Sequence, residues 1–274
     1  MRDPKLLVFT DLHIVAEGET IIDLEPIARF EEGLAHALAN HGDADQIILL
    51  GDLTHFGEPA AYQRLAEALG EVDIPVTLMM GNHDRRAAFL EVFPDTPVTA
   101  HGHVQEVIEL GDTVLITLDT LYGPPYPEGQ NSGYLCEDRL AWLEAQLERA
   151  RDKRVLLFCH HPLCDVGFPG MDAIQLANAA DLLKLLTRFR NVAHIFNGHV
   201  HRTIHGSAGG IPFTIFKSPC HQMPLDFQGE SSALSVDEPG AYGIILLKRS
   251  GVIVHSEDFA LAASRKVTQD ANSA

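Results

Sequence analysis

Five short polar clusters carry most of the residues in this sequence that could do chemistry: Asp11-Leu12-His13, Gly51-Asp52, Gly81-Asn82-His83-Asp84, His160-His161-Pro162 and Gly198-His199-Val200-His201. Carboxylates, an amide oxygen and imidazoles are donors that suit Mn, Fe, Zn or Co, and no thiolate stands among them to select a softer ion. The set is too large for one four-coordinate ion and large enough for two ions sharing a carboxylate. Two metals roughly 3.5–4 Å apart form a clamp for the attacking and leaving oxygens of a phosphoryl displacement. Of the candidate ligands only Asp11 and Asp52 carry charge. Asn82 adds a neutral oxygen, so the ions stay electrophilic and suit an anionic substrate and a hydroxide.

Each cluster ends an apolar run. The runs are Leu6–Phe9, Gln46–Leu50, Pro75–Met80, Arg154–Cys159 and Val192–Phe196. They are continuous rather than alternating, as expected of strands covered on both faces. In open α/β sheets ligands bind outside the carboxyl ends of strands, so five neighbouring strands are expected to deliver their polar residues to one rim. Gly81 lets the chain turn sharply off its strand. Amphipathic segments lie between the runs: Ile27, Phe30, Leu34 and Leu38 repeat at helical spacing, as do Leu140, Leu143 and Leu147 beside Trp142. A further helix is expected from Pro59 at its first turn to Gly70 just past its end. Hairpins are expected about Gly111-Asp112 and Ser250-Gly251. A βαβ-like first half enlarged by later hairpins makes a layered α/β sandwich.

The ordered set D-x-H, G-D, G-N-H-D, H-x-P and G-H-x-H resembles the metallophosphoesterase superfamily (calcineurin-like phosphoesterases) over roughly Leu6 to His205. The resemblance implies a four-layer αββα sandwich of two mixed sheets flanked by helices, with a dinuclear centre at the carboxyl ends of the strands. No linker divides the chain, so one domain is expected over 1–261, and the polar end of the sequence reads as a flexible tail over 262–274; the resemblance makes the C-terminal hairpins available for capping or subunit pairing. It also implies that Asp11, His13 and His201 hold one metal and that Asn82, His160 and His199 hold the other. Asp52 bridges them together with a hydroxide. His83 faces the substrate, with Asn82 and His201 also in reach of it, so His83 and Asp52 are the expected catalytic residues. The two ions are divalent or trivalent, drawn from Mn, Fe, Zn and Co.

The segments Gly51–Leu65, Ser132–Leu147 and Ser218–Gln222 are similar to the bacterial cyclic-nucleotide and glycerophosphodiester phosphodiesterase branch. The expected activity is therefore hydrolysis of a small phosphodiester by the metal-bridging hydroxide. Two alternatives stand beside it: a phosphomonoesterase or pyrophosphate-cleaving hydrolase with the same ligands, and a non-catalytic metal-binding scaffold.

Other polar residues divide by context. His160 rather than His161 takes the H-x-P ligand place, and His161 caps the loop. Asp84 orients its neighbours or caps the next helix. Arg85 and Arg86 form a solvated helix face or meet phosphate. His101 and His103 belong to a surface loop, and His194 is a hydrogen-bonded core residue. His55 has no assignment, while Cys220, His221 and Gln222 either touch substrate or form a structural turn.

Composition narrows the partners. The net charge of the 274 residues is −18, which repels a nucleic-acid polymer but leaves a small phosphorylated substrate open where metals reverse the field. No run reads as a targeting or membrane-spanning segment, and the four cysteines lack CxxC spacing and read as free thiols. A cytoplasmic protein, as a monomer or a homo-oligomer, is the expectation.

Overall fold

The computed structural model describes residues 2–261; the tail expected over 262–274 lies outside the described residues. In chain order the strands are β1 (Lys5–Phe9), β2 (Gln46–Leu49), β3 (Val76–Leu78), β4 (Val107–Leu110), β5 (Thr113–Leu118), β6 (Arg154–Cys159), β7 (Val192–Asn197), β8 (Ile204–Ala208), β9 (Ile211–Ile215), β10 (Tyr242–Lys248) and β11 (Gly251–Glu257). The helices are α1 (Pro26–His41), α2 (Pro59–Leu69), α3 (Arg86–Val92), α4 (Glu137–Arg149), α5 (Pro169–Asp172) and α6 (Ala179–Leu186).

Two mixed sheets form. One has the order β11-β10-β1-β2-β3 and the other β4-β5-β6-β7-β9-β8. In the first, β1, β2 and β3 are parallel while β10 runs antiparallel to β1. In the second, β5, β6, β7 and β9 are parallel, and β4 and β8 close its edges antiparallel.

The continuous apolar runs follow from this layering. Along β1, Leu6 and Val8 join an inter-sheet core with Ile48, Phe158, Phe196 and Phe216. Leu7 and Phe9 turn the other way, into a layer with Phe30 and Leu34 of α1 and Leu65 of α2; the Phe9 and Phe30 rings meet edge to face at 5.4 Å. Outside the second sheet, Leu143 and Leu147 of α4 and Leu182 and Leu186 of α6 pack on β5, β6 and β7. Each fully buried side chain of this kind contributes roughly 1.5–3 kcal/mol. The αββα sandwich is thus three apolar interfaces between four layers.

The five functional strands are not neighbours in one sheet. Three belong to the first sheet and β6 and β7 to the second, and the two carboxyl edges are joined across the sandwich. His160 Nδ1 bonds Leu50 O at 2.9 Å, and the His199 N–H donates to both Asp11 carboxylate oxygens at 3.0 Å. Apolar periodicity identifies a two-face-covered strand without saying which sheet it joins. The β8–β9 hairpin about Gly209-Gly210 was not assigned from the sequence, because its first strand is mostly exposed and lacks an apolar run.

Candidate metal centre

The expected ligands converge where the two sheets meet. Asp11, His13 and Asp52 bring one donor atom each within 4.8 Å of one another, and so do Asp52, His160 and His199. Asp52 belongs to both groups. His201 Nε2 joins the first, 3.0 Å from His13 Nε2 and 3.5 Å from Asp11 Oδ1. His160 Nε2 lies 3.2 Å from Asp52 Oδ2 and 3.8 Å from Asp11 Oδ1.

The backbone holding them is strained. Asp11, His13, Asp52, His199 and His201 all have positive φ, between 48° and 71°. A non-glycine residue in that region costs of order 1–3 kcal/mol. The strain is held by cross-bracing: Asp11 N–H donates to Gly51 O at 3.0 Å, His13 N–H to Asp52 O at 2.9 Å and Gly198 N–H to His160 O at 3.0 Å. Gly81 is required for closeness rather than conformation, since a Cβ there would collide with Asp52 Oδ1 and the Asp52 backbone nitrogen.

The buried donor atoms fit metal ions. Asn82 Oδ1 and His199 Nε2 are buried and have no hydrogen-bond partner, and His160 Nε2 meets only the Asp52 carboxylate, 3.2 Å away. Leaving such atoms unpaired costs about 1–3 kcal/mol each. The other ring nitrogens of His160, His201 and His13 are engaged, as is usual where the free one binds a metal. His160 Nδ1 is on Leu50 O, His201 Nδ1 is on His221 O at 2.9 Å, and His13 Nδ1 is 3.0 Å from His55 Nδ1.

The electrostatics match that arrangement. Burial pushes the Asp52 carboxyl up, but His160 and His83 outweigh it and hold it well below the usual carboxylate range. Burial raises Asp11. His13 and His199 are held well below their ordinary value, first by burial, which keeps them neutral and their lone pairs free. Burial works the same way on His160, yet Asp52 and Asp11 lift it to about 9. In the metal-free protein a proton on His160 thus occupies the place where cationic charge belongs.

His83 sits at the rim. Its N–H donates to Asp52 Oδ1 at 2.9 Å, and its Nδ1 bonds His55 O at 2.8 Å, which leaves Nε2 unengaged. Asp84 ties the two neighbouring loops together. Its Oδ2 accepts the N–H of Gly81 at 2.9 Å and of Leu53 at 3.2 Å; its Oδ1 accepts Thr54 N–H at 3.2 Å and the Tyr62 hydroxyl at 2.9 Å. Burial, and then the charge of Asp52, push Asp84 up to about 6.

His161 has both nitrogens taken, by Thr120 Oγ1 at 2.7 Å and by Asn131 O at 3.1 Å. The solvated helix face expected for Arg86 does not form. Arg86 is buried, with Nε and an Nη each 2.6 Å from an Asp119 oxygen, because Asp119, just past the end of β5, meets the first residue of α3. His101 is exposed and His103 half-buried, while His194 bonds Thr214 Oγ1 at 2.9 Å.

Two residues join the site that local sequence reasoning left open. His55 lies against His13 and stacks on His83 with ring centroids 5.0 Å apart. The His221 ring is 4.6 Å from that of His201, and its Nδ1 is buried and unpartnered. Its neighbours are structural: Gln222 clamps Ser218 through two hydrogen bonds, and Ser218 Oγ donates to Asp11 O at 2.7 Å. The resemblance of Ser218–Gln222 to the branch pointed towards His221, and nothing in the sequence assigned His55.

A cavity of about 420 Å³ opens over His83, Asn82, His199 and His201 and extends along Ile22 and Met223. No lysine or arginine lines it among the described residues.

Comparison with known proteins places the chain. The family description "Calcineurin-like phosphoesterase" matches residues 4–203. A protein of Rhodopseudomonas palustris named a "Probable cyclic nucleotide phosphodiesterase" is 40% identical over 256 residues, spanning 93% of this chain and 92% of that one. A "Probable glycerophosphodiester phosphodiesterase" of Arcobacter nitrofigilis is 34% identical over 233 residues, spanning 84% of each. Among solved structures, a dimetal phosphatase from Danio rerio superposes with a TM-score of 0.70 at 14% identity, covering 94% of this chain and 97% of that one; that likeness concerns the fold.

Proposed function

Because this chain belongs to the calcineurin-like phosphoesterase family, we propose that it catalyses metal-dependent hydrolysis of small phosphodiesters at the site between the two sheets. The observation that carries the diester reading is that no lysine or arginine among the described residues lines the cavity over the centre, that Arg85 beside it is tied to the Asn82 and Asp84 carbonyls, and that all the expected ligands but Asp11 and Asp52 are neutral. A phosphodiester has one negative charge, which the metals alone can meet. A monoester or pyrophosphate brings more charge and would call for cationic side chains.

Asp11, His13 and His201 would hold one ion, Asn82, His160 and His199 the other, and Asp52 both. When bound, the ions supply an acidified water as nucleophile at neutral pH and a positive clamp for the phosphoryl oxygens. The chain's own residues do the rest. His83, whose Nδ1–H donates to His55 O, presents Nε2 to a substrate oxygen and, as the doubly protonated imidazolium, stabilises or protonates the departing alkoxide. Asn82 and His201 complete the floor on which the phosphoryl group rests. The strained, cross-braced loops fix the donors before substrate arrives, so little reorganisation is left for the reaction.

Mn, Fe, Zn and Co all suit this donor set. Residues 1–261 are read as one domain, supported by the pairing of C-terminal β10 with β1. The exposed edge of β11 offers a second copy a place to pair, which supports a dimer or higher oligomer. Four free cysteines accord with a cytoplasmic protein; no helix among the described residues is long and apolar enough to cross a membrane.

The test compares kcat/KM for bis-p-nitrophenyl phosphate and p-nitrophenyl phosphate after Mn reconstitution, with Asn82→Ala as control. The expected result is diester preference and an inactive variant. Monoester preference would move the chain to the phosphomonoesterases with its metal centre intact. Absence of turnover with two metals bound would leave a scaffold.

A further inference from the structure

A second cavity, of about 530 Å³, opens beside the first. The two share His55, Asn82, His83 and Asn131 and no other lining residue, so they diverge from one floor at the metal centre. Their walls differ in kind. The first extends along aliphatic side chains, Ile22, Met171, Met223 and Leu234. The second is walled by rings, Phe56, Tyr122 and Tyr126, with the amide of Gln130 beside them. Phe56 is 57% and Tyr122 38% exposed. Large rings left in water beside a reaction centre are unusual, and they are not holding a core together.

We propose that the second cavity is a subsite for a planar heteroaromatic arm, and that the preferred substrate is an open-chain phosphodiester whose two alcohol arms occupy the two cavities. The proposal rests on the diester reading above. A diester centred over Asn82 and His83 carries two substituents on one phosphorus, and two cavities leave that point. Partly exposed rings such as Phe56 and Tyr122 can bind flat heterocycles by stacking, which tolerates different ring systems. The Gln130 and Asn131 amides can meet a heterocycle's polar edge, and the Asn131 backbone is anchored by its carbonyl on His161 Nε2 at 3.1 Å. Arg85 lies 4.6 Å from the Tyr126 ring centre and bonds Asn82 O at 3.1 Å, so it braces this wall. A cyclic diester has both ester oxygens on one sugar, presents a single arm and fills only one cavity. Hydrolysis of the open-chain diester breaks one P–O bond, places a water oxygen on phosphorus, and releases one arm as an alcohol that takes up a proton.

The experiment uses the full chain reconstituted with Mn and follows products by chromatography. Three probes are compared: adenosine 5′-methyl phosphate, adenosine 3′,5′-cyclic phosphate and glycerophosphoethanolamine. The expected order places the open-chain adenosine diester at least tenfold above the cyclic one in kcat/KM. Phe56→Ala and Tyr122→Ala should each lower kcat/KM about tenfold for the adenosine diester, mainly through KM. The same variants should change glycerophosphoethanolamine turnover less than twofold. Both rings are exposed, so neither substitution removes core packing. A cyclic substrate equal to or better than the open-chain one, or equal losses on both open-chain diesters, overturns the subsite while leaving the phosphodiesterase reading in place. Absence of turnover on all three and on bis-p-nitrophenyl phosphate overturns both together.

Discussion

Asp84→Asn separates the geometry of the site from the stability of the fold. Asp84 Oδ2 accepts the Gly81 and Leu53 N–H groups, and Oδ1 accepts the Thr54 N–H and the Thr54 and Tyr62 hydroxyls. An asparagine fills the same space but turns one acceptor into a donor. With its nitrogen toward Gly81 and Leu53, two N–H groups lose their acceptor. With its nitrogen toward Tyr62 and Thr54, both hydroxyls can rotate and accept, and only the Thr54 N–H is orphaned. The second arrangement is the cheaper and costs about 1–3 kcal/mol.

An opposite effect is of the same size. The folded Asp84 carboxyl is raised to about 6 from 3.8, so its contribution to stability is full below 3.8 and is lost as pH rises through 6. At neutral pH the buried carboxylate therefore costs about 3 kcal/mol, and asparagine escapes that cost. Stability should move by less than about 2 kcal/mol in either direction, a few degrees in Tm for a chain of this length. Catalysis has no such compensation, because the Thr54 N–H bond to Asp84, which helps join the loop of Asp52 to the loop of Asn82 and His83, is lost even where the Gly81 and Leu53 bonds remain. Displacements near 1 Å at a reaction centre cost about 100-fold, so kcat for bis-p-nitrophenyl phosphate should fall 10- to 100-fold at saturating Mn, with KM changed little. Urea unfolding of the metal-free protein gives the first quantity and steady-state kinetics the second. Unchanged kcat, or destabilisation well beyond 3 kcal/mol, would refute the reasoning.

Asn82→Ala should bind about one Mn equivalent under conditions that load two on the wild type; metal analysis after gel filtration reads this, and two retained equivalents would remove Asn82 from the ligand set. His83→Gln should slow an alkyl diester about 100-fold or more and bis-p-nitrophenyl phosphate much less, since a phenolate needs little protonation; equal losses would make His83 a binding residue only. Because Asp52 and Asp11 hold the His160 proton up to about 9, Mn binding at pH 7 should release about one proton, read by calorimetry in two buffers of different ionisation enthalpy, and identical heats would contradict it. Burial lowers His194 to about 4 from 6.5, so its contribution is full above pH 6.5 and is lost as pH falls to 4. His194→Gln keeps a partner for Thr214 and should flatten that acid limb by roughly 1–2 kcal/mol after allowance for partial exposure; parallel curves would show that His194 does not carry it.

The chemistry was legible along the chain because it depends on local things. Side-chain type makes Asp11, Asn82 and His199 candidate metal donors, and the continuous apolar runs mark strands covered on both faces. The turn after each run puts its donors at a strand's carboxyl end. The helix from Pro59 and the hairpin about Gly111-Asp112 were equally local, being set by proline, glycine and periodicity.

What only the tertiary structure decided involves pairs far apart in the chain. The split of the five strands between two sheets depends on which edges pair, and apolar period is blind to that. His160 keeps a free nitrogen and His161 does not because Leu50, Thr120 and Asn131 lie where they do. Arg86 is buried because Asp119, 33 residues away, meets it. His55 and His221 reach the centre, and two cavities part from it, only once two sheets have packed face to face. Burial energy selects that packing from the whole chain at once, and no segment carries it alone.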